Sequence, residues 1–294
     1  EAKKIKLKPK IIFTSYSHTV NDFFKIWTAE KTLEKVRYIV SDHGPNIEDD
    51  AKRNFNSHSN FADLYTTWTR PYDLKKQMSP TPSIYFEKIK QGKNNLNKIL
   101  LLGGRTILYP YKMQTGPIAG QMLKTFRLWD EFYLSLSQEK RNLFKLRPHP
   151  KDDWKSKDFF YKKYGKKIIS DTSNFKQDAL TSRIVVNTAF ETTFYHCMFS
   201  DIPTILIFNE NLFFITKDLE KLFEKFQSAQ ILFSKPNDAA KHIDKIWSNP
   251  FEWWNSNKVN EAKTEFYKNF FLKAEDEVEN WTSFFKNQMK ILTN

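Results

Sequence analysis

Three short stretches of the chain carry side chains of the types that handle phosphate esters. Residues 145–150, Lys-Leu-Arg-Pro-His-Pro, put the ammonium of Lys145, the guanidinium of Arg147 and the imidazole of His149 at one strand end. Several donors so close together suit a diphosphate or a phosphodiester. Pro148 and Pro150 flank His149, stiffen its loop and hold the ring in one place. A charged strand terminus with a turn is the structural alternative. In residues 187–193, Asn-Thr-Ala-Phe-Glu-Thr-Thr, the polar groups Thr188, Glu191, Thr192 and Thr193 crowd the first turn of an expected helix. Free N–H groups at such a terminus favour anions. Gly103-Gly104-Arg105-Thr106 is a flexible loop with a base and a hydroxyl, fit for contact with a phosphate. It lacks both the dinucleotide glycine spacing and the GKS/T ending of a P-loop.

A fourth stretch carries acid–base rather than anion-binding chemistry. Ser41-Asp42-His43-Gly44-Pro45 follows the short apolar run 36–40, so a carboxyl and an imidazole stand at a strand's carboxyl end beside a glycine that permits a tight turn. Spacing alone leaves a structural histidine equally open. Cys197 beside His196 resembles a nucleophile pair, but both fall inside an apolar helix and read as packing.

These loops need strands to hold them. Short β-branched or apolar runs at 10–15, 36–40, 61–69, 98–102, 143–146, 167–170, 183–186, 202–208 and 231–233 read as strands, several of them buried. Helices are expected at 22–35, 121–137, 151–165, between 187 and 202, at 213–226 and 236–247, and within the tail 257–292, with residues 83–96 partly helical. Strands alternating with helices in both halves argue α/β architecture with two Rossmann-like domains. Arg70-Pro71-Tyr72 and Ser79-Pro80-Thr81-Pro82 mark a linker. The expected domains are residues 1–96, residues 97–250 and C-terminal helices over 251–294. The chain opens on Glu-Ala-Lys-Lys without a methionine, which suggests a fragment lacking the first strands of its amino-terminal domain.

The 294 residues are 40% hydrophobic and 16% aromatic, enough for a packed core and against disorder. One cysteine excludes an intrachain disulfide and fits a reducing compartment. No apolar run is long enough to span a bilayer. The net charge of +13 points to an anionic partner, or to a lysine-rich solubilising surface. Nucleic acid is the rival partner, yet the aromatics fall at core-like spacing rather than interleaved with a basic face, which counts against it. Anionic lipid at the inner face of the cytoplasmic membrane is a compatible use of the charge.

Taken together, Asp42-His43-Gly44, the strand end at Trp68, Leu146-Arg147-Pro148-His149-Pro150, Asn187 to Thr193 with Ile202-Pro203-Thr204, and the pair Trp253-Trp254 resemble a known family. It is the transferases of bacterial surface-carbohydrate loci, distantly related to the retaining β-Kdo transferases. The resemblance covers most of residues 38–270. The order of the two histidine loops is also similar to glycerol-phosphate polymerases of teichoic acid synthesis and to bacterial sialyltransferases. The resemblance implies a GT-B-like fold, two Rossmann-like domains facing a cleft, and a cytidine nucleotide donor. His149 and Arg147 would contact the donor phosphate. Glu191, Thr192 and Thr193 would hold its ribose or phosphate, and Asp42 or His43 would serve as acid–base residue on the acceptor hydroxyl. The chain departs from the pattern in carrying Asp42 where many relatives have Gln or Trp. It also has no Asp or Glu between Lys98 and Trp129 that could act as a nucleophile.

The expected activity is therefore transfer of a Kdo- or nonulosonate-like sugar from a CMP donor to a glycan or lipid-linked glycan acceptor. The expected setting is cytoplasmic, with peripheral contact to the membrane. A CDP-polyol phosphotransferase is the alternative enzyme and a basic nucleic-acid-binding protein the alternative of another class. Imidazole, guanidinium and helix N–H groups can neutralise a leaving phosphate without metal. Asp49-Asp50 and Asp152-Asp153 read as solvated surface, so no metal and no cofactor beyond the donor is expected.

Overall fold

The computed structural model describes residues 5–44, 58–69, 78–83, 86, 88–92, 96–104, 107–109, 117–172, 174–213, 215, 217–272 and 276–292. They form two compact units. The first holds the described residues of Glu1–Asn46, Arg53–Tyr85 and Glu265–Asn294, the second those of Phe86–Thr264. The chain therefore changes unit about ten residues before the position expected from the sequence. Its last helix also belongs to the first unit rather than standing apart.

In the first unit, β1 (Ile11–Thr14), β2 (Arg37–Ser41), β3 (Leu64–Thr67) and β4 (Met78–Pro80) pair in that order, all parallel. Alternation along β1 decides what covers each face. Ile12 joins Tyr38, Val40 and Tyr65 in a cluster backed by Phe24 and Trp27 of the helix Asp22–Leu33. Asn21 caps that helix by accepting from the Phe24 N–H at 3.0 Å, which satisfies one of its orphan donors. Phe13 points the other way and meets Trp281 and Phe285 edge-on, both at 5.3 Å. Both rings lie on the helix Glu277–Ile291. That helix is tied further by Trp281 Nε1–H to the Pro82 carbonyl and by Arg37 Nε–H to Gln288 Oε1, each 2.9 Å.

The second sheet runs β6 (Phe144–Arg147), β5 (Lys98–Leu102), β7 (Ser182–Asn187), β8 (Thr204–Ile207), β9 (Leu232–Phe233), again all parallel. Both faces are buried, which is why these strands read as unbroken apolar runs. Ile99, Leu101, Ile184, Val186, Ile205 and Ile207 face the helices Met122–Ser135 and Pro236–Ile246. Leu100, Leu102 and Val185 face Ala179, Cys197 and Ile202 on the opposite side. Each such side chain contributes about 1.5–3 kcal/mol by leaving water. Pro203 precedes β8 and so removes no ladder donor. Cys197 is fully buried and its thiol is pushed up to about 12, chiefly by burial, so it packs rather than reacts.

Two local expectations do not hold. Residues 167–170 form no strand: Lys166–Ile168 is a 3-10 turn, and Ile169 makes a single bridge to Leu146. None of the described residues between Ser83 and Leu96 is helical. The Trp253-Trp254 pair is structural. Trp254 Nε1–H donates to Asp201 Oδ1 at 2.9 Å, Lys263 Nζ meets the same carboxylate at 2.8 Å, and its ammonium lies over the indole at 4.0 Å.

Two buried histidines make the fold acid-sensitive. His242 sits between Phe233 and Trp253, and among the described residues neither ring nitrogen has a hydrogen-bond partner. Burial first, then the charge of Lys245, lowers its pKa from 6.5 to about 4. His18 falls to about 4 through burial, then His43 and Lys25. A histidine with a depressed folded pKa stabilises in full above its unfolded value and loses that contribution as pH falls. Urea midpoints should therefore be flat above about pH 6.5 and drop between pH 6.5 and 4. His242→Phe should keep part of that drop, the part belonging to His18; a slope identical to the parent would contradict this.

Candidate active site

In the order β6-β5-β7 the chain leaves β5 in one direction to reach β6 and crosses to the other side to reach β7. This reversal makes a switch point between β5 and β7, and in open parallel sheets ligands bind beyond the strand ends there. The three loops singled out by residue chemistry all leave this edge. Gly103-Gly104 follow β5, Pro148-His149-Pro150 follow β6, and Thr188 to Glu191 follow β7 into the helix Thr192–Phe199.

Packing under the loops is close. The Gly103 N–H donates to the Arg147 carbonyl at 2.9 Å. A Cβ on Gly103 would lie 3.0 Å from Trp129 Cη2 and 3.3 Å from both Arg147 O and Pro148 Cα, closer than ordinary side-chain contact, so a side chain there would press on its neighbours. Trp129 is buried, and its Nε1–H donates to Thr188 Oγ1 at 3.0 Å. One indole thus touches the β5 loop and bonds the β7 loop. Asn187, the last residue of β7, donates from Nδ2 to Thr204 Oγ1 and accepts from the Thr193 hydroxyl, both at 3.0 Å. That fixes the first turn of the helix over the strand end. Glu191 is its N-cap residue, with extended backbone and no side-chain cap. First-turn N–H groups have no partner within a helix, and the macrodipole gives this end partial positive charge.

The candidate donors divide by where they point. His149 is half-buried and Nδ1 accepts from the Lys151 N–H at 3.0 Å. Nδ1 also lies 3.3 Å from the Lys151 carbonyl, a contact for the Nδ1–H tautomer; the tautomer that accepts at Nδ1 carries its proton on Nε2 and offers that nitrogen as a donor. Arg147 turns inward instead. Its Nη1 donates to Asp178 Oδ2 at 2.8 Å and to Thr172 Oγ1 at 3.1 Å, with Asp178 1% exposed. Ser170 also donates to Asp178 Oδ2, at 2.6 Å. Lys145 Nζ donates to the Lys167 carbonyl at 2.6 Å, along the outer edge of the sheet. Lys145 and Arg147, two of the three cations read from the sequence as phosphate donors, thus make contacts inside the protein. Thr188 is buried and bonded to Trp129, so it serves as floor. Thr192 is half-buried and Pro150 exposed. Arg105 lies outside the described residues.

In the first unit, Asp42 is buried and uses both carboxylate oxygens. The Tyr65 hydroxyl donates to Oδ1, the Trp68 N–H donates to Oδ2 at 2.9 Å, and the Asp42 N–H donates to the Thr66 carbonyl at 3.0 Å. It joins the ends of β2 and β3. His43 is exposed and stacks on Tyr16, with ring centroids 4.2 Å apart. His18, in the short helix Ser17–Val20 that follows β1, is near enough to His43 for the charge of that ring to lower its pKa. His18 is not among the candidate residues read from the sequence. Its position just after a strand, like that of His43, was the available signal. Trp129 and Asp178 were missed because both lie far along the chain from the loops they hold.

Among the described residues no three His, Cys, Asp or Glu side chains are grouped to hold a metal, and no helix is long and apolar enough to cross a membrane. Asp152 accepts from the Lys157 N–H at 2.9 Å, while Asp49 and Asp50 lie outside the described residues.

A family model described as LIC12162 family transferase matches residues 1–285. None of the curated proteins compared with the chain matches it. Among solved structures, Anabaena HepE, determined in complex with UDP and glucose, is 9% identical with a TM-score of 0.55, over 95% of this chain and 77% of its own. UDP-N-acetylglucosamine 2-epimerase from Rickettsia bellii is 11% identical, with a TM-score of 0.48 over 90% and 73%. The lipopolysaccharide outer core galactosyltransferase WaaB in its apo form is 12% identical, with a TM-score of 0.45 over 96% and 76%. The likeness to HepE is one of fold, and the architecture is GT-B-like, with two Rossmann-like units and C-terminal helices.

Removing either partner of a buried ion pair strands the other charge. Asp178→Ala should lower unfolding free energy by roughly 3–5 kcal/mol in urea titrations. Gly103→Ala should cost about 1–3 kcal/mol by overpacking against backbone atoms. Parent-like stability in both would contradict the packing described.

Proposed function

The chain belongs to the LIC12162 family of transferases, and on that premise we propose that it moves a sugar from a nucleotide donor to a hydroxyl of a bacterial surface glycan. The observation that carries this reading is the convergence of three loops at the switch point of the second sheet. A donor phosphate there would rest on the Gly103-Gly104 backbone, where no side chain intervenes, and accept from His149 Nε2–H. It would also accept from the first-turn N–H groups at Thr192 and Thr193. Glu191, at the mouth of the same turn, would accept from ribose hydroxyls. HepE, whose fold is similar, was determined with UDP and glucose, which supports a nucleotide sugar as the class of donor. The His149-Pro150 loop, by its resemblance to cytidine-nucleotide enzymes, favours CMP and a Kdo- or nonulosonate-like sugar.

In the reaction the acceptor oxygen bonds to the anomeric carbon, the bond from that carbon to the phosphate oxygen breaks, and the acceptor proton must leave. The phosphate gains negative charge as it departs. Fixed dipoles stabilise that charge without reorganising. His43 is our choice for the proton acceptor, since its ring reaches solvent. Asp42, bonded on both oxygens, is assigned to holding the β2 and β3 ends in register. A net charge of +13 supports approach to an anionic glycan or lipid surface.

Thermal shift with CMP, CDP, UDP and GDP tests the donor assignment. CMP at a hundredfold excess over its Kd should add about 2.7 kcal/mol of apparent stability. His149→Ala should remain folded and lose that gain. Stabilisation by CDP alone would instead indicate polyol-phosphate transfer. Unchanged nucleotide binding by His149→Ala would remove the donor site from this edge. His43→Asn should bind nucleotide normally while transfer falls by roughly 10²–10⁴-fold, the usual worth of positioned proton transfer; undiminished transfer would exclude His43 as the base.

A further inference from the structure

At the opposite edge of the second sheet, beside the amino-terminal ends of β5 and β7, lies a cavity of about 280 Å³ lined by Leu96, Arg183, Asn249, Pro250 and Phe251. Arg183 is the second residue of β7 and is half-buried. Its Nη2 donates to the Ser248 carbonyl at 2.6 Å and its Nη1 to the Leu96 carbonyl at 3.3 Å. Its guanidinium lies 5.2 Å over the Trp247 ring. A guanidinium has five N–H donors, so these two bonds leave three, and Nε is buried with no partner among the described residues. No carboxylate pairs with it there either. Glu252, on the lining segment, meets the Asn249 amide at 3.4 Å instead. Lys140, whose ammonium lies 5.0 Å from the same indole, adds a second positive group, paired at 2.8 Å with Glu139.

A partly buried cation without a counter-ion is costly, and a ligand that supplies one recovers much of that cost. The planar fork of a guanidinium matches a carboxylate. Leu96, Pro250 and Phe251 give apolar walls that an inorganic anion cannot use. The volume sits just below the range of roughly 300–1,000 Å³ usual for ligand pockets, so the occupant is small. We propose that this cavity binds a small organic carboxylate, its carboxylate on Arg183 and its apolar body against Leu96, Pro250 and Phe251. From Arg183 to Asn187, at the other end of β7, the strand rises roughly 13 Å. The site is thus separate from the nucleotide edge and independent of the donor assignment.

Ligand-observed NMR with cyclohexanecarboxylate tests this, with cyclohexanecarboxamide as the neutral isostere and inorganic phosphate as the anion without a body. Saturable binding of the carboxylate in roughly the millimolar range is expected for so small a ligand. The amide and phosphate should each bind at least about tenfold more weakly, since each lacks half of the recognition. Arg183→Met should abolish binding. Leu96→Trp fills the cavity yet keeps both carbonyl contacts of Arg183, and it should abolish binding as well; near-UV circular dichroism confirms which variants are folded. Added CMP should not displace the carboxylate. No binding by the folded parent overturns the proposal. So does equal binding of amide or phosphate, retained binding in a folded variant, or displacement by nucleotide.

Discussion

The indole of Trp129 is the part on which the proposed donor edge of the second unit depends. Its far ring edge comes within 3.0 Å of where a Gly103 Cβ would stand, and its N–H is bonded to Thr188. Two loops that leave neighbouring strands are therefore held against one rigid group. The third joins them through the Gly103 N–H and the Arg147 carbonyl. Side chains in a packed interior have few alternative positions, so the three strand ends stay in register without a ligand. A preorganised edge of this kind stabilises charge at little cost in reorganisation.

The charged groups support this arrangement from behind. Arg147 and Asp178 neutralise each other beneath the His149 loop, and Ser170 and Thr172 complete the network. Such a pair adds little net stability over an apolar replacement, but breaking it is expensive. Its use here is to fix the direction in which the chain leaves β6. What lines the proposed donor edge is then a backbone cradle, one imidazole and a helix terminus. In the first unit Asp42 plays a similar part, tying β2 to β3 through Tyr65 and Trp68.

Much of this was legible in the chain because the relevant signals are local. Lys98–Leu102 and Ser182–Asn187 are buried on both faces, and continuous apolar runs announce that without any partner being known. Glycine, proline and histidine mark the loops that follow. The direction of a long side chain is different, since it depends on residues far away. Nothing near Arg147 says that its partner is Asp178, and nothing near Lys145 says that the Lys167 carbonyl will take its amine. The helix Glu277–Ile291 shows its apolar stripe plainly, yet a stripe does not name the surface it covers. Phe13 and Arg37, near the other end of the chain, decide that. Residues 167–170 looked like a strand by composition, but only Ile169 reaches a neighbour.

The central claim is that a nucleotide phosphate is held at the β5–β7 switch point by protein groups. A crystal structure of the chain soaked with CMP tests it most directly. The account predicts a phosphate oxygen within hydrogen-bond distance of His149 Nε2 and of a first-turn N–H at Thr192 or Thr193, over Gly103. A nucleotide bound elsewhere on the second unit, with His149 turned away from it, would contradict it.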